Sequence, residues 1–228
     1  SIPFESRSML HECAITKNYM LVFDLSVVFD LYKLGRGYFP MSWDDNHQSR
    51  IGLLSRNGDS NNVQWFDIDR TYFFHTFNAH EDSNGNVIVT AAAYGRLFDT
   101  DWNGPFTESP PQLTKWELNT KSGQATSTRL DDRSVEFPRI NPKLVGKLNQ
   151  YAYALASSNL KEPDFNEIVK YDLKNDTSEV YGYGSGKFGA EPVFVAAEGA
   201  HTEDEGYLLS LVYNQETDKS DLIILNAK

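Results

Sequence analysis

Apolar and polar residues alternate along most of the chain, in short runs separated by polar turns. Alternation with a period of two is typical of β-strands that are buried on one face. The strands predicted from it are residues 14–16, 19–24, 50–56, 64–67, 72–77, 86–93, 112–118, 151–156, 167–173, 193–195, 207–213 and 221–225. Only residues 27–34 have a spacing that supports a short helix.

The residue types agree with an all-β fold. The chain contains 14 Phe, 12 Tyr and 4 Trp, and aromatic side chains are enriched in strands. Turn-forming residues, which tolerate tight or left-handed backbone, stand at residues 57–59, 84–86, 121–123 and 175–177. We therefore predict a fold built from short antiparallel strands.

The chain also repeats itself at the length of one small sheet. Residues 116–138 and 171–193 share an aromatic strand start, a polar turn, a second strand and a Glu near a Pro, at an offset of 55 residues. Upstream, His75 precedes Glu136 by 61 residues, and His11 precedes His75 by 64. Repeats of this length made of several strands are typical of propeller blades. The 228 residues accommodate about four of them.

In a propeller, equivalent positions of successive blades face a shared central channel. His11, His75, Glu136 and Glu191 recur at similar spacings, so this fold predicts that they converge. Neutral imidazoles suit iron, zinc or copper, and carboxylates commonly hold the other ring N–H. We therefore predict His11 and His75 as metal ligands, with Glu136 and Glu191 orienting such ligands. Taken singly, a histidine near a strand start is more often a hydrogen-bonded core or rim residue, and a glutamate there is most often a solvated strand-edge charge.

Charge and cysteine content argue against one class of partner and indicate a cellular compartment. Thirty-two acidic and 21 basic residues give a net charge of −11, which argues against a nucleic-acid-binding face because phosphate contacts need clustered Lys and Arg. One cysteine, Cys13, permits no internal disulfide, so we expect a reducing, cytoplasmic environment. Cys13 itself is predicted as a small buried side chain. No apolar run approaches the ~20 residues of a membrane-spanning helix.

Both ends of the sequence suggest a piece of a longer domain. The chain starts at Ser1 without a signal pattern, and it finishes directly after the strand at residues 221–225. We therefore expect residues 1–228 to form a partial β-propeller, truncated at both ends.

Several motifs, in order, resemble the carotenoid cleavage oxygenases, the family that includes retinal pigment epithelial membrane protein and the lignostilbene dioxygenases. The matching motifs are residues 8–16, 50–54, 65–67, 74–82, 136–141, 189–195 and 203–210. The resemblance covers nearly the whole chain and corresponds to the C-terminal half of the family fold.

This resemblance implies a seven-bladed propeller that holds Fe²⁺ by four histidines, three of them braced by glutamates. It also implies that O₂ splits an alkene into two carbonyl products. By motif, His11 and His75 correspond to two of the iron ligands, Glu136 to the brace of His75, and Glu191 to the brace of the family's last histidine. The other two ligands are expected outside this chain.

The implied substrate is an apolar carotenoid, apocarotenoid or stilbene that lies in a tunnel. Phe137 is expected either to line that tunnel or to pack in the core. We do not expect His80 to bind iron, because it lies five residues from His75 and faces the other way on a regular strand. Substrate identity, cleavage versus isomerisation, and peripheral membrane contact through the missing part stay open. The alternative function is a non-catalytic propeller that serves as a binding or scaffold module.

Overall fold

A computed structural model describes residues 2–58, 62–102, 104, 108–160 and 164–228. These residues form antiparallel strands with very little helix. The elements are β1 Ala14–Ile15, β2 Tyr19–Asp24, β3 Val27–Phe29, α1 Leu31–Leu34, β4 Met41–Trp43, β5 Arg50–Ser55, β6 Val63–Asp67, β7 Thr76–Glu81, β8 Val87–Ala93, β9 Gln112–Asn119, β10 Gln124–Arg129, β11 Ser134–Arg139, a 3-10 turn Pro142–Leu144, β12 Tyr151–Ser157, β13 Glu167–Asp172, β14 Thr177–Gly182, β15 Lys187–Gly189, β16 Val193–Ala196, β17 Gly206–Asn214 and β18 Lys219–Asn226.

Most of the described strands belong to four antiparallel sheets of four strands each. The first sheet has the order β1-β2-β5-β6, the second β7-β8-β9-β10, and the third β11-β12-β13-β14. In the fourth sheet, β17 pairs with β15 and then β16 along one edge and with β18 along the other. The all-β prediction is confirmed. Closure of such sheets into a ring, and the number of blades, stay predictions.

Neighbouring sheets share three hydrophobic cores. The strand β12 shows how alternation builds them. Its residues Ala152, Ala154 and Ala156 enter the core between the second and third sheets. Tyr153 and Leu155, which point the other way, enter the core between the third and fourth sheets. β12 is therefore buried on both faces, and the sheets stack in series.

Only the second half of the segment predicted as a helix is helical. Val27–Phe29 forms β3, which pairs with β4, and only Leu31–Leu34 is α-helix. β-Branched and aromatic residues favour the strand, and Asp30 ends it by capping the helix, its side chain accepting the N–H groups of Tyr32 and Lys33. No helix in the described ranges is long and apolar enough to cross a membrane.

One strand prediction is corrected, and two strands were given no bounds from the sequence. The predicted strand at residues 72–77 instead begins at Thr76 and continues to Glu81, while Tyr72 makes only an isolated bridge to Tyr94. The alternating pattern did not predict where β10 and β14, the edge strands of the second and third sheets, begin and end. Both strands are largely exposed and polar, so neither carries an apolar face that a pattern can detect.

One face of the fourth sheet is apolar and uncovered by the rest of the described chain. The register places Val193, Tyr207, Leu211, Leu222 and Ile224 on that face, and these side chains are between 48% and 59% exposed. The opposite face of the sheet fills the third core. A contiguous apolar face of this kind marks a contact surface.

We expect the 228-residue chain on its own to self-associate through this face at micromolar concentration. Leu211→Lys combined with Leu222→Glu should shift it toward monomer, because charges on the face oppose its burial. Leu148→Lys is the matched control, since Leu148 is 70% exposed but lies outside the face. Sedimentation velocity measures the outcome, and a monomeric wild-type chain would contradict the prediction.

Candidate metal centre

The fold brings His11 and His75 together although they are far apart in sequence. His11 lies three residues before β1 of the first sheet, and His75 lies directly before β7 of the second. The two strands contact each other. The imidazole centroids are 5.0 Å apart and the ring planes are nearly perpendicular, at 89°. The two ligands predicted from sequence are thus neighbours.

Hydrogen bonds fix which ring nitrogen of each histidine is free. Nδ1 of His11 lies 3.0 Å from the carbonyl oxygen of Phe74, and Nδ1 of His75 lies 2.7 Å from Oε2 of Glu136. A carbonyl and a carboxylate accept hydrogen bonds, so the proton of each neutral ring belongs on Nδ1. Both Nε2 atoms then keep a lone pair that can bind a metal ion.

Glu136 is a buried carboxylate, 2% exposed, with a full set of donors. Oε2 accepts the backbone N–H of Phe137 at 2.8 Å as well as the His75 ring. Oε1 accepts the hydroxyl of Tyr94 at 2.9 Å. Such pairing is what makes a buried charge tolerable. Glu136 therefore holds the His75 ring in one orientation; that this serves a bound metal stays a prediction.

Strand irregularities occur at the residues that carry this chemistry. The register of β11 shifts just after Glu136, where Phe137 adopts a left-handed φ of 53° and Pro138 has no N–H to donate. The register of β7 shifts just after Thr76, and the edge that pairs with β17 is interrupted at Glu191. Bulges re-aim side chains, so these breaks set the directions of the candidate residues.

The electrostatics around the pair are shaped by burial and by Glu136. Burial by itself lowers the pKa of His75, but the hydrogen bond and charge of Glu136, together with the charges of Glu12 and Glu191, outweigh it, so the net pKa is raised. Burial, followed by the charge of Glu136, raises the pKa of Tyr94 well above its usual value. Tyr94 is therefore a neutral donor to Glu136 at any physiological pH.

Glu191 is close enough to His75 for its charge to contribute to raising the pKa of that histidine. It sits between β15 and β16 and forms an ion pair with Arg139. Both side chains are 41% exposed. The prediction that Glu191 braces a further histidine concerns a residue outside this chain, so it stays a prediction.

Cys13 and His80 occupy other places. Cys13 is exposed, so the prediction of a buried side chain is wrong. The residue precedes β1, and regular alternation of buried and exposed side chains has not begun there.

His80 lies on β7 and lines a cavity of about 700 Å³ between the second and third sheets, together with Lys115 and Tyr171. Neither His11 nor His75 contributes to the wall of that cavity.

The donor set fits part of a first-row metal site. Two imidazoles bound side by side with metal–nitrogen bonds of ~2 Å have centroids roughly 5 Å apart, as His11 and His75 do. Within the ranges the structure describes, no group of three or more His, Cys, Asp or Glu residues is arranged to hold a metal ion. Two imidazoles alone do not complete the coordination of a metal ion, so the assignment of His11 and His75 as metal ligands stays a prediction.

Three contributors to the site were not predicted from the sequence. They are the hydroxyl of Tyr94, the carbonyl of Phe74 and the carboxylate of Glu12, which accepts the backbone N–H of Thr76 at 2.6 Å. Backbone groups leave no signal in a sequence. Glu12 does stand next to a predicted ligand, and that adjacency was the one available sign of its involvement.

Comparison with known proteins shows which family the chain belongs to. The family model described as retinal pigment epithelial membrane protein matches residues 1–228. A carotenoid cleavage oxygenase of Mycobacterium tuberculosis is 28% identical over 271 residues, which cover 96% of this chain and 53% of the relative. A carotenoid 9,10(9',10')-cleavage dioxygenase of Crocus sativus is 30% identical over 244 residues, with 96% and 44% covered.

Among solved structures, cobalt-substituted apocarotenoid oxygenase of Synechocystis matches with a TM-score of 0.87 and 25% identity, covering 96% of this chain and 48% of that one. The chain therefore belongs to the retinal pigment epithelial membrane protein family, whose matched relatives here are carotenoid cleavage oxygenases. The resemblance found in the sequence is confirmed. The chain spans about half the length of the relatives it matches.

Proposed function

We propose that this chain supplies part of the Fe²⁺ centre of a dioxygenase that cleaves an alkene bond of a carotenoid, apocarotenoid or stilbene-like substrate. The observation that carries the proposal is the pair of adjacent imidazoles, His11 and His75, with both Nδ1 atoms engaged and both Nε2 atoms free. The names of the matched relatives support the substrate class.

In this proposal the C=C bond breaks and each carbon gains one atom of O₂, which gives two carbonyl products and leaves no further oxidant or reductant to account for. Ferrous iron, when bound, supplies the redox chemistry that lets O₂ react with a closed-shell alkene. His11 and His75 bind it as neutral ligands, so its positive charge is retained. The remaining ligands come from residues outside these 228.

The chain's other residues orient the ligands and place aromatic rings beside them. Glu136 fixes the His75 ring, and the Phe74 carbonyl fixes the His11 ring. The rings of Phe74 and Phe137 flank the pair, with centroids 5.2 Å from His11 and 5.3 Å from His75. Aromatic surface on both sides suits a polyene or stilbene better than a polar substrate.

Oxygen uptake and product analysis on the full-length protein test the proposal. Purified protein loaded with ferrous iron is supplied with a carotenoid, an apocarotenoid and a stilbene under ¹⁸O₂. We expect two carbonyl products per O₂, each carrying one labelled oxygen, from at least one substrate. Bound iron with an unchanged substrate would refute the cleavage function. Failure to bind iron would favour the non-catalytic scaffold.

A further inference from the structure

The two histidine-bearing segments are held together at their backbones. The carbonyl of His75 accepts the N–H of Ala92 on β8 at 3.2 Å. The carbonyl and N–H of one peptide unit point in opposite directions. The N–H of Thr76, which belongs to the same peptide unit, therefore faces away from β8 and toward the first sheet.

Glu12 satisfies that N–H from the neighbouring sheet. Its Oε2 accepts the Thr76 N–H at 2.6 Å. Glu12 directly follows His11, and Thr76 directly follows His75. With the contact between the His11 ring and the Phe74 carbonyl, residues 11 and 12 engage the backbone on both sides of His75.

We propose that Glu12 is a positioning residue for the metal centre: by binding the Thr76 amide it fixes the distance and angle between the His11 and His75 rings. This inference rests on the proposed function, because it assigns Glu12 a purpose at the same pair of ligands. An unpaired amide at this point would let the bulged start of β7 shift relative to β1.

The chain contains a matched control for this link. Glu81 also joins the first and second sheets, accepting the Thr16 hydroxyl at 2.6 Å and the Asn18 N–H at 2.8 Å. It lies at the far end of β7 from His75. Loss of the Glu81 link weakens the packing of the same two sheets without touching the histidine pair.

The test compares Glu12→Ala, Glu12→Gln and Glu81→Ala in the full-length protein. Amide hydrogen exchange at Thr76 is measured without metal, and cobalt(II) affinity is measured from the visible absorption of the bound ion. We expect Glu12→Ala to expose the Thr76 amide and to weaken cobalt binding ~10–100-fold, the usual cost of losing a group that supports a ligand. Glu12→Gln keeps an acceptor oxygen and should restore most of that affinity. Glu81→Ala should change neither measurement.

Several results overturn the inference. Glu12→Ala with wild-type exchange and affinity would show that the contact does not position the rings. An equal loss in Glu81→Ala would show a general packing effect, and a Gln variant as weak as Ala would show that charge matters rather than the hydrogen bond. A wild-type protein that binds no cobalt would refute the proposed function as well, whereas the exchange measurement on metal-free protein tests the Glu12–Thr76 bond separately.

Discussion

A His75→Ala variant of the full-length protein is expected to lose its iron and its alkene cleavage. The Nε2 atom of His75 carries one of the two neighbouring lone pairs with which this chain can bind a metal ion. Removing only a group that supports a ligand costs ~10–100-fold in metal affinity, so removal of the ligand itself should cost at least about 100-fold. Iron content by mass spectrometry and product formation by chromatography measure the effect.

His201→Ala is the control for that experiment. His201 is exposed in the turn before β17, and only its backbone N–H bonds to Glu205. The control should keep its iron and its activity. A His75→Ala protein that folds, as shown by circular dichroism, and retains stoichiometric iron would contradict the assignment of His75 as a ligand.

Replacing Glu136 with alanine is expected to weaken both the fold and the metal site. The change removes the carboxylate that accepts the Tyr94 hydroxyl, the Phe137 amide and the His75 Nδ1–H. Unsatisfied buried donors cost about 1–3 kcal/mol each. Part of that cost is offset because a buried charge is removed, so we expect a loss of roughly 3 kcal/mol in the free energy of unfolding. Metal affinity should fall ~10–100-fold.

Glu136→Gln separates the two effects. Its amide oxygen can accept the His75 Nδ1–H while its NH₂ group donates to the Tyr94 hydroxyl, so the cavity stays filled and paired. We expect the Gln variant to unfold at nearly the wild-type denaturant concentration and to bind metal better than the Ala variant. If Glu136→Ala matches wild type in both urea unfolding and cobalt affinity, the carboxylate does not hold the ring.

Alternation predicted the fold class because most strands here bury at least one face. It works best for β12, where Ala154 and Leu155 enter cores on opposite sides. It fails where tertiary contacts override local pattern. Residues 72–75 have the composition of a strand, but regular pairing with β8 begins only at Thr76, and the His75 ring reaches Glu136 on another sheet. The β3 segment was predicted as helix because its local spacing gives no sign of its partner. Its pairing strand, β4, begins 12 residues after the end of β3.

The site was predictable to the extent that its residues recur at a common spacing. His11, His75 and Glu136 followed from the repeat, and the structure brings these three together. Tyr94 and Glu12 were missed because their partners are known only in three dimensions: Tyr94 meets a carboxylate 42 residues away, and Glu12 meets an amide 64 residues away. The identity of the metal did not follow from the geometry, since imidazole pairs serve several metals.

Anomalous diffraction at the iron absorption edge, on crystals of the iron-loaded full-length protein, tests the central claim most directly. The account predicts a single strong peak within bonding distance of Nε2 of both His11 and His75, with Glu136 still on Nδ1 of His75. An iron peak elsewhere, or iron-loaded crystals in which the two imidazoles bind nothing, would contradict it.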